Sequence, residues 1–104
     1  MKNRNEQDNL NVLRAVHKSP KNSQRELADK LGFSLGKINY CLKALKEKGF
    51  IKIKNFQNQK SKINYIQYVL TPKGISLRTQ LALNFMKRKM KEYEELKNEL
   101  EKNK

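Results

Sequence analysis

A chain of 104 residues with 24 lysines and arginines against 10 acidic residues carries a net charge of +14, which points to nucleic acid as a partner and leaves room for one domain with a modest core. Its 37% hydrophobic content is low for a self-contained globule, so a partner is expected to complete it. The single cysteine excludes a disulfide framework and a cysteine-based metal site, and no apolar run reaches the length of a membrane span, so a soluble, cytoplasmic protein is expected.

The charge is unevenly spread. Residues 1–91 hold 21 bases and 5 acids, net +16, whereas residues 92–104 hold 3 bases and 5 acids, net −2. The positive field therefore belongs to the body of the chain rather than to its tail.

In chain order, residues 1–7 are polar and are expected to be flexible. From about Asp8, the spacing of Leu10, Val12, Leu13 and Val16 predicts an amphipathic helix that Ser19-Pro20 ends, because a residue before proline is pushed out of the helical region. His17, near its end, has no partner ligands in the sequence and reads as a surface or capping residue. Ser23-Gln-Arg-Glu26 is a capping-box pattern that opens a short helix, with Leu27, Ala28 and Leu31 turned inward and Gly32 closing it.

The next stretch, from Phe33 to Gly49, is the one the chain is organised around. Ser34 caps a helix predicted from about Leu35 to Lys48, and Gly49 stops it. Ile38, Cys41, Leu42 and Leu45 form its apolar stripe, which makes Cys41 a small core residue. The opposite face carries Gly36, Asn39, Tyr40, Lys43 and Glu47, flanked by Lys37 and Lys46. Two helices joined by a tight turn, the second basic on its outer face, make a helix-turn-helix.

After Gly49 the period changes to two. Phe50 to Lys54 alternates, and Ile63 to Leu70 is rich in β-branched and aromatic residues. The polar segment between them makes a hairpin with a basic tip, the wing of a winged helix, with Asn58, Gln59, Lys60 and Lys62 placed near a minor groove. Thr71-Pro72 then opens a last helix as cap and first helical residue. Thirty or so residues at about 1.5 Å each give a rod of roughly 45 Å, longer than so small a domain can cover. Leu81, Phe85, Met86, Met90, Tyr93, Leu96 and Leu100 run along it and are expected to meet a second copy of the chain.

The fold class expected is mainly α with a small β-hairpin: a winged helix-turn-helix over residues 8–71 and a long dimerisation helix over residues 72–104. Double-stranded DNA is the expected partner of a homodimer. Gly36, Lys37, Asn39, Tyr40 and Lys43 would read base edges, each good pair discriminating by about 1 to 3 kcal/mol. Lys21, Ser23, Gln24, Arg25 and Ser34 would hold phosphates. A winged-helix adaptor that binds protein or RNA without duplex sequence preference is the alternative. One histidine, one cysteine in a core stripe and no clustered acids leave no nucleophile-base pair, metal set or phosphate-cradling loop, so neither an enzyme nor a cofactor is expected.

The segment SQRELADKLGFSLGKINYCLKALKEKGFIKIKNF, followed by LTPKGI, resembles the winged-helix domain of the MarR family of bacterial transcriptional regulators. The stretches SLGKINYCLKAL and RKMKEYE are similar to the short exopolysaccharide-associated MarR-type subgroup, and the resemblance covers roughly Leu10 to Lys91. It implies homodimers on palindromic operator DNA that repress or activate neighbouring genes, genes for exopolysaccharide synthesis among them. Two departures limit what it carries over. The wing tip holds lysines in place of the acid-arginine pair of longer members, and the helical material that builds a ligand pocket in them is reduced. Response to a small-molecule effector is therefore left open.

Overall fold

The computed structural model describes residues 2–19, 22–57 and 64–103. Four helices and one hairpin follow in the order α1 (Lys2–Lys18), α2 (Gln24–Leu31), α3 (Leu35–Glu47), β1 (Ile51–Gln57), β2 (Asn64–Leu70) and α4 (Pro72–Lys102). The strands pair antiparallel, from Ile51 with Leu70 at the base to Gln57 with Asn64 at the far end.

Local chemistry sets most of these boundaries. Ser23 Oγ accepts from the Glu26 amide at 3.2 Å while the Glu26 carboxylate accepts from the Ser23 amide at 3.3 Å, a complete capping box. Ser34 Oγ accepts from the Lys37 amide at 3.1 Å and opens α3. Gly32 and Gly49 close α2 and α3 in the left-handed region, at φ 70° and 81°. There the Phe33 amide returns to Ala28 O and the Phe50 amide to Leu45 O, both at 2.9 Å, which satisfies carbonyls a helix end would leave free.

The core lies where α1, α2, α3 and the base of the hairpin meet. Val12, Leu13 and Val16 of α1, Leu27 of α2, and Ile38, Leu42 and Leu45 of α3 are almost fully buried, each contributing about 1.5 to 3 kcal/mol of transfer free energy. Cys41 is buried in the same stripe, and Ile51, Tyr68 and Leu70 seal it from the hairpin.

Two boundaries differ from the sequence expectation. Helix α1 begins at Lys2 rather than near Asp8, so residues expected to be flexible are helical. Its first turns carry no apolar pattern. They are held by polar contacts to distant segments, Glu6 to Arg88 of α4 at 3.2 Å and Asp8 to Lys37 of α3 at 3.0 Å. Strand β1 continues past Lys54 to Gln57, because ladder pairing of Asn55 with Ile66 and Phe56 with Tyr65 extends it where side-chain alternation has already ended.

The start of α4 is tied to the end of α3. The Thr71 amide donates to Phe50 O at 3.1 Å, Thr71 Oγ1 donates to Gly49 O at 2.6 Å and accepts from the Gly74 amide at 3.0 Å, and Lys73 Nζ reaches Lys48 O at 3.0 Å. Gly74 is buried against Phe50, where a Cβ would overlap the Phe50 carbonyl oxygen and lie 2.9 Å from its carbon. The long helix thus leaves the domain at an angle set by backbone contact.

Candidate nucleic-acid interface

The outer face of α3 is the part of the domain left unspent by folding. Gly36, Asn39, Tyr40 and Lys43 are exposed, and Tyr40 is a large ring left 75% exposed. Lys46 and Glu47 continue the same exposed surface. Asn39 can both donate and accept, Tyr40 and Lys43 donate, and Glu47 is the sole acid of the helix. Such a face can present hydrogen-bond donors and positive charge to the edge of a base pair.

Lys37 is placed differently. The sequence groups it with the base readers, but it is half-buried, its Nζ 3.0 Å from the Asp8 carboxylate and 4.1 Å from the centre of the Phe33 ring. It belongs to a cleft of about 310 Å³ between α1 and α3, lined by Asn5, Asp8, Asn9, Tyr40, Cys41 and Ala44 among others. Burial pushes the Cys41 thiol above its ordinary range. The nearby Asp8 carboxylate adds to the rise and the Lys37 ammonium opposes it.

Of the residues expected at phosphates, Arg25 is exposed on α2 and free of ion pairs among the described residues. Ser23 and Ser34 are helix caps, each hydroxyl oxygen already accepting a backbone N–H. Gln24 faces the hairpin instead, its Nε2 donating to Tyr68 Oη at 2.8 Å. Both residues line a second cleft, about 260 Å³, together with Asn39, Leu42, Lys43, Lys46 and Ile53. The sequence assigns no site role to Ile53 or Tyr68 and places Lys46 only at the flank of the α3 face. The period-two pattern of β2 carried the signal for Tyr68, since it puts Tyr68 and Leu70 on one face, but which helix that face meets is a tertiary fact.

Residues 9–52 match the sequence model of the winged helix-turn-helix DNA-binding family. The fold is a winged helix-turn-helix. Among solved structures, Staphylococcus aureus MarR in complex with salicylate and kanamycin is similar with a TM-score of 0.65 at 23% identity, over 85% of this chain and 57% of that one. Streptococcus pneumoniae FabT in complex with DNA gives a TM-score of 0.57 at 19% identity, over 85% of this chain and 59% of that one. A mutant MarR from E. coli complexed with operator DNA gives 0.55 at 23% identity, over 71% of this chain and 51% of that one. At these identities the likeness is one of fold, and the chain spans less than two thirds of each of those proteins. No curated protein matches the sequence.

In this fold α3 is the second helix of the helix-turn-helix and β1–β2 the wing. Lys52 and Lys54 are exposed along the wing. The expected tip contacts Asn58, Gln59, Lys60 and Lys62, and the expected phosphate contact Lys21, lie outside the described residues. No helix among the described residues is long and apolar enough to cross a membrane, and no group of three or more His, Cys, Asp or Glu side chains among them is placed to hold a metal ion.

The predicted dimer surface on α4 divides in two. Leu81 is buried in the domain's own core, and Phe85, partly buried, packs against that core. Their packing sets these two apart from the rest of the expected surface, and helical geometry explains it. At about 100° per residue, Leu77, Leu81 and Phe85 point roughly a third of a turn away from the stripe that begins at Met86. Met86, Met90, Tyr93, Leu96 and Leu100 are 56–69% exposed along a segment that has left the domain.

Proposed function

We propose that this chain is a MarR-type transcriptional regulator that binds double-stranded DNA as a homodimer on a pseudo-palindromic operator. The observation that carries the reading is the outer face of α3: exposed, polar and basic, with the Asn39, Tyr40 and Lys43 side chains in no hydrogen bond or ion pair among the described residues. A net charge of +14 supplies the sequence-independent attraction to phosphates, and the α3 face supplies discrimination. Residues 8–71 form the reading unit in this account, and α4 beyond Met86 is the dimerisation arm. The shared fold with FabT and MarR structures solved with DNA supports the same direction.

Asn39 pairs with an adenine edge, Lys43 donates to guanine, and Tyr40 contacts a thymine methyl or a phosphate. Arg25 and the first turn of α2 hold the backbone. Two copies related by a two-fold axis present their recognition helices roughly 34 to 36 Å apart, one turn of DNA. The subgroup resemblance makes genes for exopolysaccharide synthesis the first targets to examine.

The experiment is binding of the purified protein to the DNA upstream of its own gene and to a scrambled duplex of equal length, at two salt concentrations. A preference on the order of a thousandfold, with affinity falling steeply as salt rises, is expected. Equal binding to upstream, scrambled and genomic-fragment duplexes would overturn sequence-specific regulation.

A further inference from the structure

The contact between Asp8 and Lys37 bears on how the DNA-reading surface is regulated. Lys37 occupies the first turn of α3, three residues after the Ser34 cap, and that turn contains no acidic residue of its own. A cation there faces the positive end of the helix dipole and is disfavoured. The compensating charge comes from another element, the Asp8 carboxylate of α1, 3.0 Å from Lys37 Nζ. The Phe33 ring, 4.1 Å from the same ammonium, restricts it from a second side. Both partners remain reachable, with side chains 36% exposed for Lys37 and 20% for Asp8, at the rim of the cleft that also holds Tyr40.

We infer that Asp8 competes with DNA for Lys37. In the free protein the carboxylate stands where a phosphate oxygen or guanine acceptor would stand, so duplex DNA gains Lys37 only by displacing Asp8. Asp8 is thereby a positioning residue that lowers the protein's attraction for DNA by roughly one ionic contact. This rests on α3 being the DNA-reading helix. The contact is half-exposed, and pairs of that kind hold by less than about a factor of five. The latch therefore tunes DNA binding rather than blocking it.

A double-mutant cycle on the full chain tests this, using a random-sequence duplex titrated from low to moderate salt, with Asp8→Asn, Lys37→Gln and the pair. Asp8→Asn is expected to tighten binding about two- to fivefold at low salt and to steepen the salt dependence by up to about 0.9 in log–log slope, the value of one additional phosphate contact. In the Lys37→Gln background the same change should have no effect. Equal tightening in both backgrounds would reduce Asp8 to a general negative charge and overturn the inference. So would no change, or a loss of affinity, in the otherwise unaltered protein. Glu6→Gln, which removes a negative charge paired with Arg88 of α4, is the matched control and should leave the slope unchanged. Thermal melting confirms that each variant is folded. Because the cycle is read on random duplex, it stands even if the protein shows no preference for its upstream DNA, the result that would overturn the proposed regulatory role.

Discussion

Replacing Gly74 by alanine should damage this protein, against the usual benefit of alanine in a helix. Alanine is favoured over glycine within helices by about 1 kcal/mol. Here the added Cβ overlaps the Phe50 carbonyl oxygen and sits 2.9 Å from the carbonyl carbon. Both sides of the clash are backbone, so no rotamer change relieves it, and the first turn of α4 must move off the end of α3. Overpacking of this kind costs about 1 to 3 kcal/mol or more. The move also strains the bonds from the Thr71 amide to Phe50 O, 3.1 Å, and from the Thr71 hydroxyl to Gly49 O, 2.6 Å, at about 1 kcal/mol each. The net expectation is a loss of about 2 to 4 kcal/mol. For a domain of this size that lowers the melting temperature by roughly 10 to 25 °C. The assay is thermal unfolding followed by circular dichroism at fixed protein concentration, because any self-association would make melting depend on concentration. A Gly74→Ala protein as stable as its parent, or more stable, would refute the close-approach argument.

Four further outcomes are expected. Asn39→Ala with Lys43→Ala should leave the melting temperature within a few degrees, since both side chains are exposed, while weakening binding to a preferred duplex by about 2 to 6 kcal/mol in gel-shift titration; unchanged binding would show that α3 is not the reader. On the proposed dimerisation reading, Leu96→Lys with Leu100→Lys, both exposed on α4, should shift the protein from dimer to monomer in sedimentation equilibrium, and a wild-type protein already monomeric would refute that reading. Tyr68→Phe removes the acceptor for Gln24 Nε2 and should cost about 1 kcal/mol in denaturant unfolding. Cys41, whose thiol is raised above its ordinary range chiefly by burial, should resist alkylation in the native state and react on unfolding. Its raised folded value also makes it a stabilising group that is fully effective below the unfolded thiol range, and that contribution should be lost as pH rises through that range toward the folded value. Cys41→Ala should remove this alkaline part of the pH–stability curve.

The arm shows where sequence periodicity stops being sufficient. Leu81 and Phe85 share helix and apolar character with Met86 and Tyr93, so a list of apolar positions groups them together. Packing against the domain core separates them, because apolar contacts cover α4 only as far as Phe85. Beyond it the large apolar side chains are exposed, and Arg88 alone still pairs with Glu6 of α1 among the described ion pairs. Lys37 illustrates the same limit for charge. Its spacing puts it beside the reading face, and only the docking of α1 brings Asp8 within 3.0 Å of it.

Sequence alone determined the elements whose signals are local. The capping box at Ser23, the Ser34 cap, the glycine stops at residues 32 and 49, and the Thr71-Pro72 start each depend on backbone groups within about five residues, so the information is contiguous. The core stripe of α3, and therefore its exposed opposite face, follows from the 3.6-residue period for the same reason. Tertiary structure decided what depends on meetings between distant segments: the helical first turns of α1, held by Glu6 to Arg88, the requirement for glycine at position 74, the Gln24–Tyr68 bond, and the diversion of Lys37 to Asp8. None of these has a period or a spacing. Each arises because the packed core fixes the relative positions of elements, and polar groups brought within reach by that packing pair with one another.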